Sequence, residues 1–167
     1  MKRSRLSTDE RRAVGIPEGE RLIAWGVGEP DEAQTTLVAA TDQALYEQRS
    51  ETRIPWADVI KGTWEQPDLV VDFQEGGEIR RIRIRVGSPR ELPAAVRDRV
   101  TDSVVISEYR ELGEDAGAHF VARRKPGGGL DEITWSVVFD SGLDSTDATL
   151  RSKAERILGE LRSSLGI

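Results

Sequence analysis

The residues of this sequence that are best placed to bind a ligand are three arginines in one alternating run. Arg81, Arg83 and Arg85 alternate with isoleucine and valine between residues 79 and 86. Because successive side chains of a strand point to opposite faces, we expect the three guanidinium groups to project from one face. Guanidinium groups pair with carboxylates and phosphates, so this face is a candidate site for an acidic peptide, a phosphate group or an anionic surface. The alternative is a solvated strand face on which the arginines pair with acidic neighbours.

The patterns that mark a catalytic or metal site are missing from the sequence. Its one histidine, His119, precedes Phe120 in a predicted strand, and any serine triad would have to use it. There is no cysteine, so the sequence cannot supply the roughly three or four nitrogen and sulfur ligands that zinc needs. We therefore predict a non-catalytic protein with no metal and no cofactor.

Two glycine clusters lack the residues that would make them nucleotide-binding loops. Gly127–Gly129 has no Lys-Ser/Thr pair after it and lies between predicted strands, whereas a phosphate loop precedes a helix. Gly26–Gly28 has neither a third glycine nor a following helix, which a dinucleotide fingerprint requires. We interpret residues 126–129 as a hairpin turn, and we predict no nucleotide site.

Length, charge and composition restrict the class of protein. With 167 residues the chain can form one domain, or one domain with a small addition, around a buried core. Its net charge of −6 argues against nucleic acid as a partner, because neutralising phosphates needs clustered positive charge. No apolar run approaches the roughly 20 residues that span a bilayer, and the basic N-terminus lacks the apolar segment of a secretory signal. These features predict a cytoplasmic location.

The arginine run belongs to a series of short strands that a helix follows. Alternating apolar residues predict seven strands between Glu20 and Val86, and Glu75–Glu78 has the composition of a hairpin turn. Ser88 and Glu91 have the spacing of a capping box, with Pro89 at the first helical position. This pattern predicts a helix with one apolar stripe. The stripe contains Leu92, Ala95, Val96, Val100, Ser103 and Val104.

The last third of the chain forms a separate pattern of three strands and one helix. Ile106–Leu112, Ala118–Lys125 and Leu130–Asp140 are predicted strands. Asp147 is the predicted N-cap of the final helix, and Gly166 lies just past its end. The broad apolar stripe of this helix can be buried within one chain or across two copies, so a homodimer is one possibility.

The stretch from Leu37 to Trp64 resembles bacterial pleckstrin-homology-like (GRAM-like) domains. The resemblance rests on Thr-Asp-x-x-Leu-Tyr at residues 41–46 and Ile-Pro-Trp-x-Asp-Val at residues 54–59. Residues 19–22, 121–124 and 135–140 extend it to a family of uncharacterised actinobacterial proteins that carry such a domain first. The resemblance implies a seven-stranded barrel closed by a capping helix, and it implies no activity.

Two segments bear on how such a barrel would be used. Ser7 and Glu10 have the spacing of a capping box, which predicts a short helix over Thr8–Val14 that Gly15 ends. We expect this helix to plug a barrel opening, and the alternative is a basic helix that faces a membrane. Lipid-binding relatives of the fold carry bases in the first hairpin loop, whereas residues 28–32 contain three acids and no base. We therefore favour a protein over a lipid headgroup as the predicted binding partner.

These patterns predict an α+β protein with a seven-stranded pleckstrin-homology-like β-barrel, a capping helix and a small C-terminal β-β-β-α unit. The expected division is a basic tail and short helix at 1–18, the barrel domain at 19–106 and the C-terminal unit at 107–167. The predicted function is an intracellular scaffold or adaptor that binds another protein through barrel edge strands or the arginine face, with strand addition as one mode. The alternatives are binding of an anionic membrane or phosphorylated ligand through Arg81, Arg83 and Arg85, and small-molecule binding between the two units.

Overall fold

The computed structural model describes residues 5–28 and 36–167, and these divide into two compact units between Asp102 and Ser103. Of the acidic loop at 28–32, only Gly28 is among the described residues. The first part of the chain contains α1 (Thr8–Val14), β1 (Leu22–Gly28), β2 (Leu37–Thr41), β3 (Ala44–Glu47), β4 (Thr52–Pro55), a 3-10 helix (Trp56–Asp58), β5 (Val59–Glu65), β6 (Asp68–Glu75), β7 (Glu78–Ser88) and α2 (Leu92–Ser103). The second part contains β8 (Val104–Gly113), β9 (Ala116–Arg124), a 3-10 helix (Leu130–Glu132), β10 (Ile133–Phe139) and α3 (Ala148–Leu165).

The first unit is built on a seven-stranded antiparallel sheet in the order β4-β3-β2-β1-β7-β6-β5. The pairing of β1 with β7 is short and irregular, since it consists of Val27 opposite Ser88 and Gly28 opposite Val86. Among the described residues β4 and β5 end the ladder without pairing with each other, so the predicted closed barrel is not found. The strand order instead gives a four-stranded half and a three-stranded half that the short β1–β7 pairing joins.

Both halves of this sheet contribute to one hydrophobic core. Val38 and Leu45 come from the four-stranded half, and Leu69 and Val71 come from the other; all four are almost completely buried. Leu92 and Val96 of α2 join the same cluster, as the predicted apolar stripe requires. Burial of each such side chain stabilises the fold by about 1.5–3 kcal/mol. The shared core explains why the two halves belong to one compact unit although few ladder bonds connect them.

The helix α2 begins three residues later than the sequence predicts. Ser88 is the last residue of β7, where it pairs with Val27, so it is not the N-cap. Arg90 has a positive φ of 50°, which is incompatible with the first turn of a helix, and the helix starts at Leu92. The other end is also corrected, because Val104 belongs to β8 and not to the helical stripe.

The helix α1 has the predicted boundaries and caps but a different environment. Ser7 and Glu10 form the capping box, and Gly15 ends the helix in the left-handed conformation. Val14 packs in a second cluster with Leu37 and other residues of β2 and β3. That cluster lies on the face of β2 and β3 opposite the main core, because strand side chains alternate between the two faces. The helix therefore covers a sheet face and does not plug a barrel opening.

The second unit is a three-stranded antiparallel sheet in the order β10-β9-β8, with α3 packed on one face. Phe120 of β9 is fully buried against Ile157 and Leu161 of α3. The predicted caps of α3 are both confirmed: Asp147 accepts the N–H of Leu150, and Gly166 adopts the left-handed conformation after the last turn. The strand β9 is central, so β8 and β10 are the two edges of this small sheet.

Candidate functional site

The three arginines singled out from the sequence share one face of β7, and that face is paired with acids. In the β6–β7 register Arg81 is opposite Asp72, and Arg85 is opposite Asp68. Arg81 donates through Nε and a terminal nitrogen to the two carboxylate oxygens of Asp72, at 2.6 and 2.9 Å. Arg83 donates to Asp68 at 3.0 Å and to Glu65 at 2.9 Å. Arg85 donates to the second oxygen of Asp68 at 3.2 Å.

These ion pairs neutralise most of the positive charge that the sequence suggests. The paired registers of β5, β6 and β7 place four basic and three acidic residues on this face. They are Lys61, Arg81, Arg83 and Arg85 against Glu65, Asp68 and Asp72. The hydrogen bond from Arg83 and the one from Arg85 hold the pKa of Asp68 below its usual value, so this carboxyl stays ionised at neutral pH. The geometry matches the alternative of a solvated, paired strand face, and a ligand role for the three arginines stays a prediction.

The one histidine lies on the surface of the second unit beside a tyrosine. His119 of β9 is exposed, and its ring centroid is 5.1 Å from that of Tyr109 on β8. The hydroxyl of Tyr109 donates to the Asp140 carboxylate at 2.7 Å, and this bond raises the pKa of Tyr109. A tyrosine held in its neutral form is a poor base. In the described part of the chain no group of three or more His, Asp or Glu side chains is arranged to hold a metal ion.

The strand edges differ in how well they are protected against pairing with another chain. Exposed edges are commonly blunted by charged residues, proline, short length or register shifts. Strand β4 is four residues long and ends at Pro55, and β5 carries Lys61, Glu65 and a register shift. Strand β8 carries three charged residues and two register shifts. Among the four edge strands that the structure describes, β10 alone has none of these features: it has seven uncharged residues in unbroken register with β9.

One hydrogen bond shows which main-chain N–H and C=O groups of β10 point away from β9. The N–H of Asp140 donates to the carbonyl of Gly117 at 3.0 Å, so these opposite residues form a hydrogen-bonded pair. Such pairs alternate with non-bonded pairs along an antiparallel ladder. In the observed register Thr134, Ser136 and Val138 therefore bond to β9. The N–H and C=O groups of the intervening residues, Ile133, Trp135, Val137 and Phe139, face outward, and we call this row of groups the β10 edge.

The side chains along the β10 edge leave apolar surface at the end of the sheet. Trp135, Val137 and Phe139 pack against the core cluster under α3, yet each remains partly exposed. The sequence predicts this strand and its apolar face, but it did not single out the β10 edge as a candidate site. The signal was a seven-residue run without charge between acidic turns, and only the observed strand order shows that the run is an edge.

Comparisons with known proteins add no identity to this description. No protein-family model matches the chain, and no curated protein matches it. None of the helices in the described residues is long and apolar enough to cross a membrane. The fold and the β10 edge define the class as an α+β protein with an open seven-stranded sheet and a separate three-stranded sheet.

Proposed function

We propose that this protein is a non-catalytic protein-binding module that accepts an extended segment of another protein as an additional strand on β10. The observation that carries the proposal is the β10 edge, an uncharged strand of seven residues with regular register and outward main-chain groups. Extended peptides add to such edges through main-chain hydrogen bonds, while alternate side chains provide specificity. The function is thus the scaffold or adaptor role expected from the sequence, at a site in the second unit.

The second unit is suited to this role because its edge strand β10 pairs with β9 along its whole length and packs against the core under α3. Phe120 and Ala118 of β9 are fully buried, and they lie opposite Val137 and Phe139 in the β9–β10 register. The α3 helix, capped at both ends, closes the core beneath them. A rigid edge loses little conformational entropy when a peptide binds, so more of the hydrogen-bond energy appears as affinity.

For the first unit, we propose a pleckstrin-homology-like architecture in which an open sheet replaces the closed barrel. The features that support this proposal are the order of seven antiparallel strands followed by a helix, and the single core that both halves and α2 share. This proposal concerns the fold and implies no ligand, since folds of this kind carry many functions. The paired arginines disfavour anionic membrane as the principal partner, because their charge is already compensated by Asp68, Asp72 and Glu65.

The test uses the full chain and a short synthetic peptide of alternating valine and threonine with blocked, uncharged ends. Amide resonances of the 15N-labelled protein are followed during titration. We expect shifts centred on the β10 edge residues Ile133, Trp135, Val137 and Phe139, and slower hydrogen exchange of their amides in the complex. Strand addition predicts this alternating pattern, whereas nonspecific adsorption to apolar surface does not.

Two proline variants separate the β10 edge from the rest of the sheet. Val137→Pro removes an outward N–H from β10 without removing a bond to β9, and it should lower peptide affinity about fivefold to tenfold. Ser107→Pro is the matched control, because the same alternation points the Ser107 N–H outward on β8, at the opposite edge. Peptide shifts that survive Val137→Pro, or that map to β8 or to the arginine face, would refute the proposed site.

A further inference from the structure

We infer that the segment bound by β10 is an amphipathic strand of a different protein, with apolar side chains at alternate positions and basic residues at both ends. This inference rests on the proposed function and adds the chemistry of its partner. Two independent features of the β10 edge carry it: the apolar surface left on one face of the strand, and the acids that lie directly before and after it.

The apolar requirement follows from the two faces of the sheet. An added strand places every second side chain beside Trp135, Val137 and Phe139, on the face that α3 covers. These three side chains keep part of their apolar area exposed, so apolar neighbours gain by burying it. On the opposite face the neighbours are Thr134, Ser136 and Val138, of which Ser136 is buried. The bound segment should therefore carry apolar side chains at the alternate positions that lie beside Trp135, Val137 and Phe139.

The basic requirement follows from the residues at the ends of the strand. Asp131 and Glu132 immediately precede β10, and Asp140 immediately follows it. Three bases lie in the same part of the unit: Arg124 is opposite Ile133 on β9, Lys125 follows Arg124, and the Arg162 guanidinium lies over the Trp135 ring at 6.0 Å. None of the three belongs to β10 or directly precedes or follows it. Acids at both ends attract a segment flanked by lysine or arginine in either direction of binding.

The same acids weigh against a second copy of this chain as the occupant. An antiparallel pair of β10 strands overlaps along all seven residues only when Ser136 of one copy lies opposite Ser136 of the other. In that register Glu132 of each copy faces Asp140 of its partner copy. Like charges directly opposite across a ladder are destabilising, and the chain as a whole carries a net charge of −6. A basic-flanked segment has no such repulsion.

The experiment compares three peptides with the same five-residue centre of alternating valine and threonine, flanked by lysine pairs, by glutamate pairs or by uncharged blocking groups alone. Their affinities for the full chain are measured by isothermal titration calorimetry at low and high salt. We expect the lysine-flanked peptide to bind about tenfold more tightly than the glutamate-flanked one, with the difference shrinking as salt increases. Two further versions of the lysine-flanked peptide are N-methylated, one at odd and one at even positions of the centre. The version methylated at the N–H groups that point toward β10 should not bind, and the version methylated at the other N–H groups should still bind.

A matched pair of double variants tests the acids themselves. Asp131→Asn with Glu132→Gln should reduce the preference for the lysine-flanked peptide about threefold or more. Glu155→Gln with Glu160→Gln removes the same charge from exposed positions of α3 and should leave the preference unchanged.

Each outcome has one meaning. If lysine- and glutamate-flanked peptides bind equally and both lose affinity in Val137→Pro, the proposed function stands and the inferred partner is wrong. If no peptide binds, the proposed function itself fails. If instead the protein alone self-associates as its concentration rises, and Val137→Pro abolishes this, the occupant is a second copy and the inference is overturned. The N-methylated peptides test on the unaltered protein whether binding uses the main-chain hydrogen bonds of an added strand. The test therefore holds even if a proline variant does not fold.

Discussion

Asp140 donates its main-chain N–H to the carbonyl of Gly117 at 3.0 Å, and this bond sets the phase of the ladder between β9 and β10. Because bonded and non-bonded pairs alternate, a shift of one residue would turn the opposite set of main-chain groups outward. The bond at Asp140 thus identifies the amides of β10 that face away from β9. The carboxylate of Asp140 is also fixed, by the hydroxyl of Tyr109 at 2.7 Å.

The first prediction concerns hydrogen exchange along β10. In the unbound protein the amides of Thr134, Ser136 and Val138 should exchange at least about tenfold more slowly than those of Trp135 and Val137. The reason is that the first set donates to β9 and the second set faces away from it. Residue-resolved exchange by NMR measures this alternation directly. Equal protection at odd and even positions would contradict the assigned phase and with it the proposed site.

The second prediction concerns the contact between β5 and α2. A Cβ atom at Gly62 would lie 2.8 Å from Cγ1 of Val96, whose side chain is almost completely buried. Valine has little freedom to move aside, so Gly62→Ala should destabilise the protein by about 1–3 kcal/mol, as overpacking does. Urea unfolding measures the change.

Gly159 provides the control for that substitution. It lies on the exposed side of α3, and nothing is within 4 Å of the position a Cβ would take. Gly159→Ala should therefore stabilise the protein by about 0.5–1 kcal/mol, because alanine restricts the unfolded chain and favours the helix. The same chemical change thus has opposite expected signs at the two sites. Destabilisation at both would show that the close contact with Val96 is not the cause.

The third prediction concerns acid titration of the arginine face. The hydrogen bonds from Arg83 and Arg85 hold the pKa of Asp68 below its usual value of about 3.9. A carboxyl whose pKa is lower in the folded state contributes stability above its unfolded pKa, and this contribution is lost as the pH falls through the folded value. The carboxyl resonance of Asp68 should titrate below that of an exposed aspartate. In Arg83→Gln with Arg85→Gln the Asp68 pKa should return toward the ordinary value, and the loss of stability in acid should become smaller.

The fourth prediction concerns the charge that these carboxylates compensate. Asp68→Asn with Asp72→Asn leaves four bases and only Glu65 on the face, so binding to vesicles that contain phosphatidylserine should become at least about tenfold stronger. Unaltered protein should bind such vesicles weakly, with Glu108→Gln and Glu111→Gln as the charge-matched control. Strong vesicle binding by the unaltered protein, abolished by changing Arg81, Arg83 and Arg85 to glutamate, would instead support the membrane alternative.

Local signals in the sequence were sufficient where a feature depends on a few neighbouring residues. The capping box of Ser7 and Glu10, the N-cap Asp147 and the terminal Gly166 are all confirmed, because capping needs only side chains within one helical turn. The same reasoning failed at Ser88, where the β7 ladder continues through the predicted cap and Arg90 takes a positive φ. There a long-range pairing with Val27 outweighed the local preference.

Sequence patterns could not predict the features that depend on the order of strands in a sheet. Alternation placed Arg81, Arg83 and Arg85 on one face, but it could not show that Asp68 and Asp72 occupy the same face of the neighbouring strand. For the same reason the barrel was expected to close, whereas the observed order ends at β4 and β5. The β10 edge was hidden in the same way, since a strand pattern is identical at the centre and at the edge of a sheet.

The last prediction concerns Tyr109, which lies next to the end of the β10 edge. Its hydrogen bond to Asp140 raises its pKa, and Asp140→Asn should lower that pKa toward the ordinary value of about 10, as NMR of the ring carbons would show. Because the folded pKa is raised, the associated stability is present below the unfolded pKa and is lost as the pH rises through the folded value. The variant should therefore lose less stability in base than the unaltered protein. The variant also removes one acid at the end of β10, so the lysine-flanked peptide should bind to it more weakly. The main-chain bond between Asp140 and Gly117 should remain, and with it the hydrogen-exchange pattern of β10. Loss of that pattern would show that Asp140 positions the strand through its side chain, and not through its main-chain N–H alone.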